Sequence, residues 1–131
     1  MIEPTKTSPY ELLGGEEAVQ SLVDRFYFYM DTLPEAADIR EMHQQNLTAA
    51  RQKLFKFLSG WLGGPDLYIR EFGHPRLRMR HFPFAIGAAE RDQWMLCMNK
   101  ALDEMPMSDE FRKNLSRALH QVATHMINQG E

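Results

Sequence analysis

The sequence predicts an all-α fold, and three observations predict it. Apolar residues recur at three- and four-residue spacing through four long stretches, as one buried face of a helix requires. No stretch alternates apolar and polar residues for long enough to make a strand, and the Asn-Gly and Asp-Gly pairs that mark tight hairpins do not occur. The stretches are divided by Gly-Gly pairs and prolines, which suits helices crossing steeply around a pocket better than an up-and-down bundle.

Taken in order, residues 1–8 read as a flexible lead ahead of one domain spanning 9–131. Pro9 to Leu13 gives one or two turns, ended by Gly14-Gly15. The next helix runs from about Glu16 to Thr32, with Val19, Leu22, Val23, Phe26, Tyr27 and Met30 on one face. Glu16 and Glu17 lie in its first turn, where the helix dipole favours negative charge. Leu33-Pro34-Glu35 breaks it and starts a short helix, Ala36 to Met42, with Ile39 and Met42 inward. His43 to Asn46 is a polar corner. Leu47, Ala50, Leu54, Phe57, Leu58 and Trp61 form the stripe of a helix over Leu47–Leu62, which Gly63-Gly64-Pro65 stops. Leu67 to Phe72 reads as irregular or a single turn.

Pro75 then opens a short helix at the position where a missing N–H costs nothing, and Pro83 stops it just after His81. A longer helix starts near Gly87 and carries Trp94, Cys97, Met98, Ala101, Leu102 and Met105 in register. Pro106 separates it from a last helix capped by Ser108, whose stripe is Phe111, Leu115, Leu119, Val122 and Met126, with Gly130 past its end.

Composition narrows the function. The 131 residues suffice for one core without staples. With 15 basic and 18 acidic residues the net charge is −3, so neither nucleic acid nor an anionic membrane is implied as a partner. A lone cysteine, Cys97, rules out an internal disulfide framework and reads as a buried thiol. The start of the chain lacks a basic run followed by an apolar one, and no segment approaches a membrane span, so a soluble, cytoplasmic protein is expected.

Chemistry concentrates between Gly73 and Met98. A histidine at the end of a short, punctuated helix points off that end in a set direction, and neutral imidazole is a common metal ligand. Arg76, Arg78 and Arg80 put positive charge around His81. Haem fits both features, with iron for the imidazole and two propionates for the arginines. The plain alternative is a surface histidine on a cationic helix. Other metal chemistry fares poorly. His120 and His125 are five apart and diverge, and one cysteine without an HExxH run makes no zinc constellation. The nine methionines read as adaptable core filler.

The run GHPRLRMRH–PF–I, followed by ERD–W–CM, resembles the truncated haemoglobins, specifically their second group with a distal-pocket tryptophan. The likeness extends upstream to Gly14-Gly15, Arg25-Phe26-Tyr27 and Trp61-Leu62-Gly63-Gly64-Pro65. It covers nearly all of the chain apart from the first few residues and the last helix. The resemblance implies a two-over-two helical sandwich around haem b, with His81 as proximal iron ligand. It implies that Tyr27, His43 and Trp94 face the bound gas as hydrogen-bond donors. Phe26, Ala50, Leu54, Phe57, Leu77, Phe84, Ile86 and Met98 would line the pocket. Arg80 and then Lys53 are the first choices for the propionates, ahead of Tyr68, His74, Arg76 and Arg78. The function implied is reversible binding of dioxygen, carbon monoxide and nitric oxide. A polar distal set hints at redox turnover of nitric oxide or peroxide with an external electron donor. Oxygen sensing or storage without turnover, and a haem-free helical interaction module, are the rival readings.

Overall fold

The computed structural model describes residues 8–129, and no strand occurs among them. Eight α-helices follow in order: α1 Pro9–Leu13, α2 Gly15–Thr32, α3 Ala37–Glu41, α4 Thr48–Trp61, α5 Leu67–Phe72, α6 Leu77–Arg80, α7 Ala88–Asp103 and α8 Asp109–His125, with a 3-10 turn over Pro34–Ala36. The expected lead falls outside the described residues except for Ser8, and so does Gly130. Ser8 is not part of a lead. Its hydroxyl accepts the Glu11 N–H at 3.2 Å while the Glu11 carboxylate accepts the Ser8 N–H at 3.4 Å, a reciprocal cap on α1.

Two helix pairs make the body. Helix α2 packs on α4 and on α7, and α7 packs in turn on α8. Val19, Leu22, Val23, Phe26 and Met30 from α2 meet Leu58 of α4 and Met98, Ala101 and Leu102 of α7 in one buried cluster. Each large side chain so buried contributes about 1.5–3 kcal/mol. Cys97 lies fully buried in this cluster as a free thiol, and burial pushes its pKa up to about 11.

Gly14 holds φ 127°, and a Cβ there would come within 2.9 Å of Ala18. At Gly64 a Cβ would sit 2.5 Å from the Tyr10 ring, so glycine is what lets α1 lie on the α4–α5 corner. The Tyr10 N–H donates to the Leu62 carbonyl at 2.9 Å and completes that contact. At the other end, Ser108 caps α8 by accepting the Phe111 N–H at 3.1 Å.

Three local expectations are corrected. Leu67–Phe72 is a regular helix, because Tyr68 is buried against Phe57 and the segment packs on α4. Pro75 does not open α6. Arg76 intervenes with φ 44°, a left-handed conformation, and the helix starts at Leu77. The segment expected as one helix from Ala36 to Met42 is a 3-10 turn followed by α3, with Ile39 buried and Met42 only half-buried.

Candidate functional site

His81 is the C-cap residue of α6 and is half-buried. Its Nδ1 lies 2.6 Å from the Leu77 carbonyl, one helical turn back. A carbonyl can only accept, so the proton sits on Nδ1 and the Nε2 lone pair is left free. That is the tautomer a metal-binding imidazole needs, with its other nitrogen already oriented.

His43, two residues beyond α3, is built the same way. Its Nδ1 donates to the Ile39 carbonyl at 2.8 Å. Burial lowers its pKa, and the nearby guanidinium of Arg40 acts in the same direction against the Ile39 bond. A neutral His43 with Nδ1 engaged offers an acceptor at Nε2.

Tyr27 stands beside it. The two rings meet edge to face at 5.9 Å, and Phe26 packs on Tyr27 at 4.9 Å and on Trp94 at 5.1 Å. Phe26 is thus fully buried beneath the site and links its two polar aromatics. The Tyr27 hydroxyl donates to the Ala50 carbonyl at 3.4 Å, a long contact that is easily exchanged. Burial raises its pKa, so the phenol keeps its proton. Trp94 is half-buried, packed against the core and not fully inside the α7 stripe. Met95, its neighbour, takes the buried position.

Among the expected lining residues, Met98 is fully buried beneath the site as part of the core. Ala50, Leu54, Phe57, Leu77 and Ile86 are half-buried, and Phe84 is 39 % exposed with its ring 6.5 Å from that of His81. Apolar surface on α4, on α6 and in the loop before α7 is therefore left uncovered by protein.

The cationic residues separate into two groups. Arg80 lies with its guanidinium over the Tyr68 ring at 5.8 Å, Tyr68 packs on Phe72 at 4.8 Å, and Lys53 lies over Phe72 at 5.7 Å. Lys53, Tyr68 and Arg80 thus share one edge. Arg78 turns the other way, donating to the Ile127 carbonyl and lying over the Phe82 ring. The Arg76 N–H donates to His74 Nδ1 at 3.3 Å, and both residues are exposed in the turn before α6.

Haem fits these residues. Among the described residues no three His, Cys, Asp or Glu side chains converge to cage a metal, so an ion held at His81 alone must bring its other ligands with it. A planar macrocycle supplies them, covers apolar surface and carries two carboxylates for the Lys53–Arg80 edge.

Three supporting residues had no sequence signature. Arg40 ties α3 to α2 through Asp31 at 2.9 Å and donates to the Gln44 and Gln45 carbonyls at 3.0 and 2.8 Å, shaping the corner that carries His43. Gln93 accepts the Ile39 N–H at 3.2 Å and donates to Asp38 at 3.0 Å. Asn128 bonds the loop that follows His81. Only the Arg40 contacts are local enough for spacing to have suggested them.

Comparison with known proteins places this geometry. The family model described as bacterial-like globin matches residues 8–128. A cold-adapted truncated haemoglobin from Pseudoalteromonas haloplanktis is 49% identical, with TM-score 0.91 over 94% of this chain and 99% of that one. A group II 2-on-2 haemoglobin from Agrobacterium tumefaciens is 42% identical, with TM-score 0.92 over 98% and 100%. A truncated oxygen-avid haemoglobin from Bacillus subtilis is 40% identical, with TM-score 0.83 over 92% and 99%. The chain belongs to the bacterial-like globins, among their group II truncated haemoglobins, a family whose cofactor is haem.

Proposed function

We propose that this protein holds haem b through Nε2 of His81 and reversibly binds dioxygen, carbon monoxide and nitric oxide on the side facing Tyr27, His43 and Trp94. The observation that carries this is the paired arrangement at the site. One imidazole has its Nδ1 committed to Leu77 and its Nε2 free, and Phe26 joins a loosely held phenol, Tyr27, to the Trp94 indole with His43 against the phenol ring. Haem supplies the iron at which the gas binds. The protein's part is to orient His81, to cover the macrocycle with Leu54, Phe57, Leu77 and Ile86, and to offer O–H and N–H donors to a ligand that gains negative charge. Arg80 and Lys53 receive the propionates, with Tyr68 between them. The kinship with an oxygen-avid haemoglobin supports tight retention of dioxygen. Reducing the haem-loaded protein and adding carbon monoxide should shift its absorption bands at one equivalent. Unchanged bands would refute the assignment.

Redox turnover is a second reading, and His43 favours it. Two donors with one acceptor suit a ligand that itself carries a proton, as peroxide does, and firmly held dioxygen suits reaction with nitric oxide better than delivery. Electrons would come from a separate reductase, in the cytoplasmic setting expected from the sequence. Mixing the oxygenated protein with nitric oxide should yield nitrate and a ferric spectrum that cell extract plus reduced nicotinamide returns to ferrous. No nitrate and no recycling would leave storage or sensing as the role.

A further inference from the structure

We infer that Asn128 is a positioning residue for the proximal histidine, and that residues 127–129 act as a strut setting where the His81 imidazole stands. This rests on the reading of His81 as the iron ligand. Helix α6 is a single turn, entered through a left-handed Arg76 and left through the Pro83 turn. Something outside it must hold its position.

Asn128 does so with its whole bonding capacity. Its Nδ2 donates to the His81 carbonyl at 3.1 Å and to the Phe84 carbonyl at 2.8 Å. Its Oδ1 accepts the Ile86 N–H at 2.9 Å and the Gln129 side-chain amide at 3.1 Å. A carboxamide has two donor hydrogens and two acceptor positions, and all four are used. The backbone adds to this, because the N–H groups of Asn128 and Gln129 both donate to the Ile86 carbonyl, at 2.8 and 3.1 Å. Arg78, on α6 itself, donates to the Ile127 carbonyl at 3.2 Å. The chain just past α8 therefore grips the segment from His81 to Ile86 at its start, middle and end.

The consequence is directional. The His81 carbonyl and imidazole share one Cα, so a bond that holds the carbonyl limits the tilt and azimuth of the ring. The Nδ1 bond to Leu77 sets the ring's rotation, while Asn128 sets the height of the residue that carries it. Hydrogen-bond partners that orient a ligating imidazole alter metal affinity by roughly 10- to 100-fold, and Asn128 acts on the same orientation through the backbone.

Asn128→Asp is the sharpest test, since it keeps size and acceptor but turns an oxygen toward two carbonyls. Asn128→Ala is the companion, in case the aspartate variant folds poorly. The measurement is the iron–imidazole stretching band of the ferrous, haem-loaded protein by resonance Raman, together with the rate of hemin transfer to a scavenger. The same change is then made in His81→Gly supplied with free imidazole, where the ligand is no longer tied to the backbone. The inference predicts a shifted or broadened band and hemin loss about 10-fold faster or more in the His81 background, and no band shift in the imidazole-filled background. A wild-type band in both Asn128 variants overturns it. So does an equal shift in both backgrounds, which would mean a general loosening of the pocket. If His81→Gly keeps the wild-type band without imidazole, the assignment of His81 itself falls, and the strut with it.

Discussion

Replacing Tyr27 with phenylalanine removes one oxygen atom and little else. The ring contacts with Phe26 at 4.9 Å and His43 at 5.9 Å do not involve the hydroxyl. In the protein that hydroxyl spends its proton on the Ala50 carbonyl at 3.4 Å. A contact that long lies beyond the usual range and is worth less than about 1 kcal/mol. A hydrogen bond to a ligand with developing negative charge is worth about 1.5–3 kcal/mol. Turning from Ala50 to dioxygen therefore gains about 1–2 kcal/mol, and losing that gain speeds dioxygen release about 5- to 30-fold. The assay is stopped-flow displacement of dioxygen by carbon monoxide with dithionite present. Carbon monoxide dissociation is the internal control, because that ligand carries little charge and should leave Tyr27→Phe within about threefold of wild type on the same electrostatic argument. A dioxygen rate within twofold of wild type would refute the reasoning. So would equal acceleration for both gases, since it would report a loosened pocket and not a lost bond.

Other outcomes follow from the same geometry. Trp94→Phe removes the indole N–H and should raise dioxygen release by a comparable factor, and the double variant with Tyr27→Phe should show whether the two donors act independently. Gly64→Ala drives a methyl group against the Tyr10 ring and should cost about 1–3 kcal/mol in denaturant unfolding, with recovery when Tyr10 is also made alanine. Arg76→Val should destabilise by about 1–2 kcal/mol against Arg76→Gly, because a branched residue resists the left-handed conformation. Cys97 is an acid whose pKa is raised on folding, so its contribution is complete below its unfolded value of about 9 and is lost as pH rises toward about 11. Wild type should therefore lose stability over that interval relative to Cys97→Ala, as read by urea midpoints, and thiol reagents should label Cys97 at pH 8 only after unfolding.

The long helices were legible because burial enforces a period. Val19, Leu22, Val23, Phe26 and Met30 are spaced as a helix must space them, and all five are buried. Caps were legible for the same local reason, since Ser108 needs only the next three residues to act. Helix α5 was missed because its order comes from Tyr68 meeting Phe57 across the chain, a contact no six-residue window contains. The start of α6 was misplaced because the rule that puts proline in a first helical turn cannot see the left-handed Arg76 after it. At the site, residue types and spacing offered a histidine with a basic collar. The resemblance, not periodicity, pointed to Tyr27 and Trp94. What no sequence rule supplied was orientation. The acceptor face of His43 is set by the Ile39 carbonyl, and Asn128 reaches back 47 residues to the His81 carbonyl.

The most direct measurement is a hemin titration of the purified protein followed by absorption spectroscopy, run beside His81→Gly. One equivalent of hemin should produce a sharp Soret band in the wild type. In His81→Gly that band should weaken or move, and added imidazole should restore it. Protein that takes up no hemin, or a glycine variant whose spectrum matches wild type without imidazole, would contradict the account at its centre.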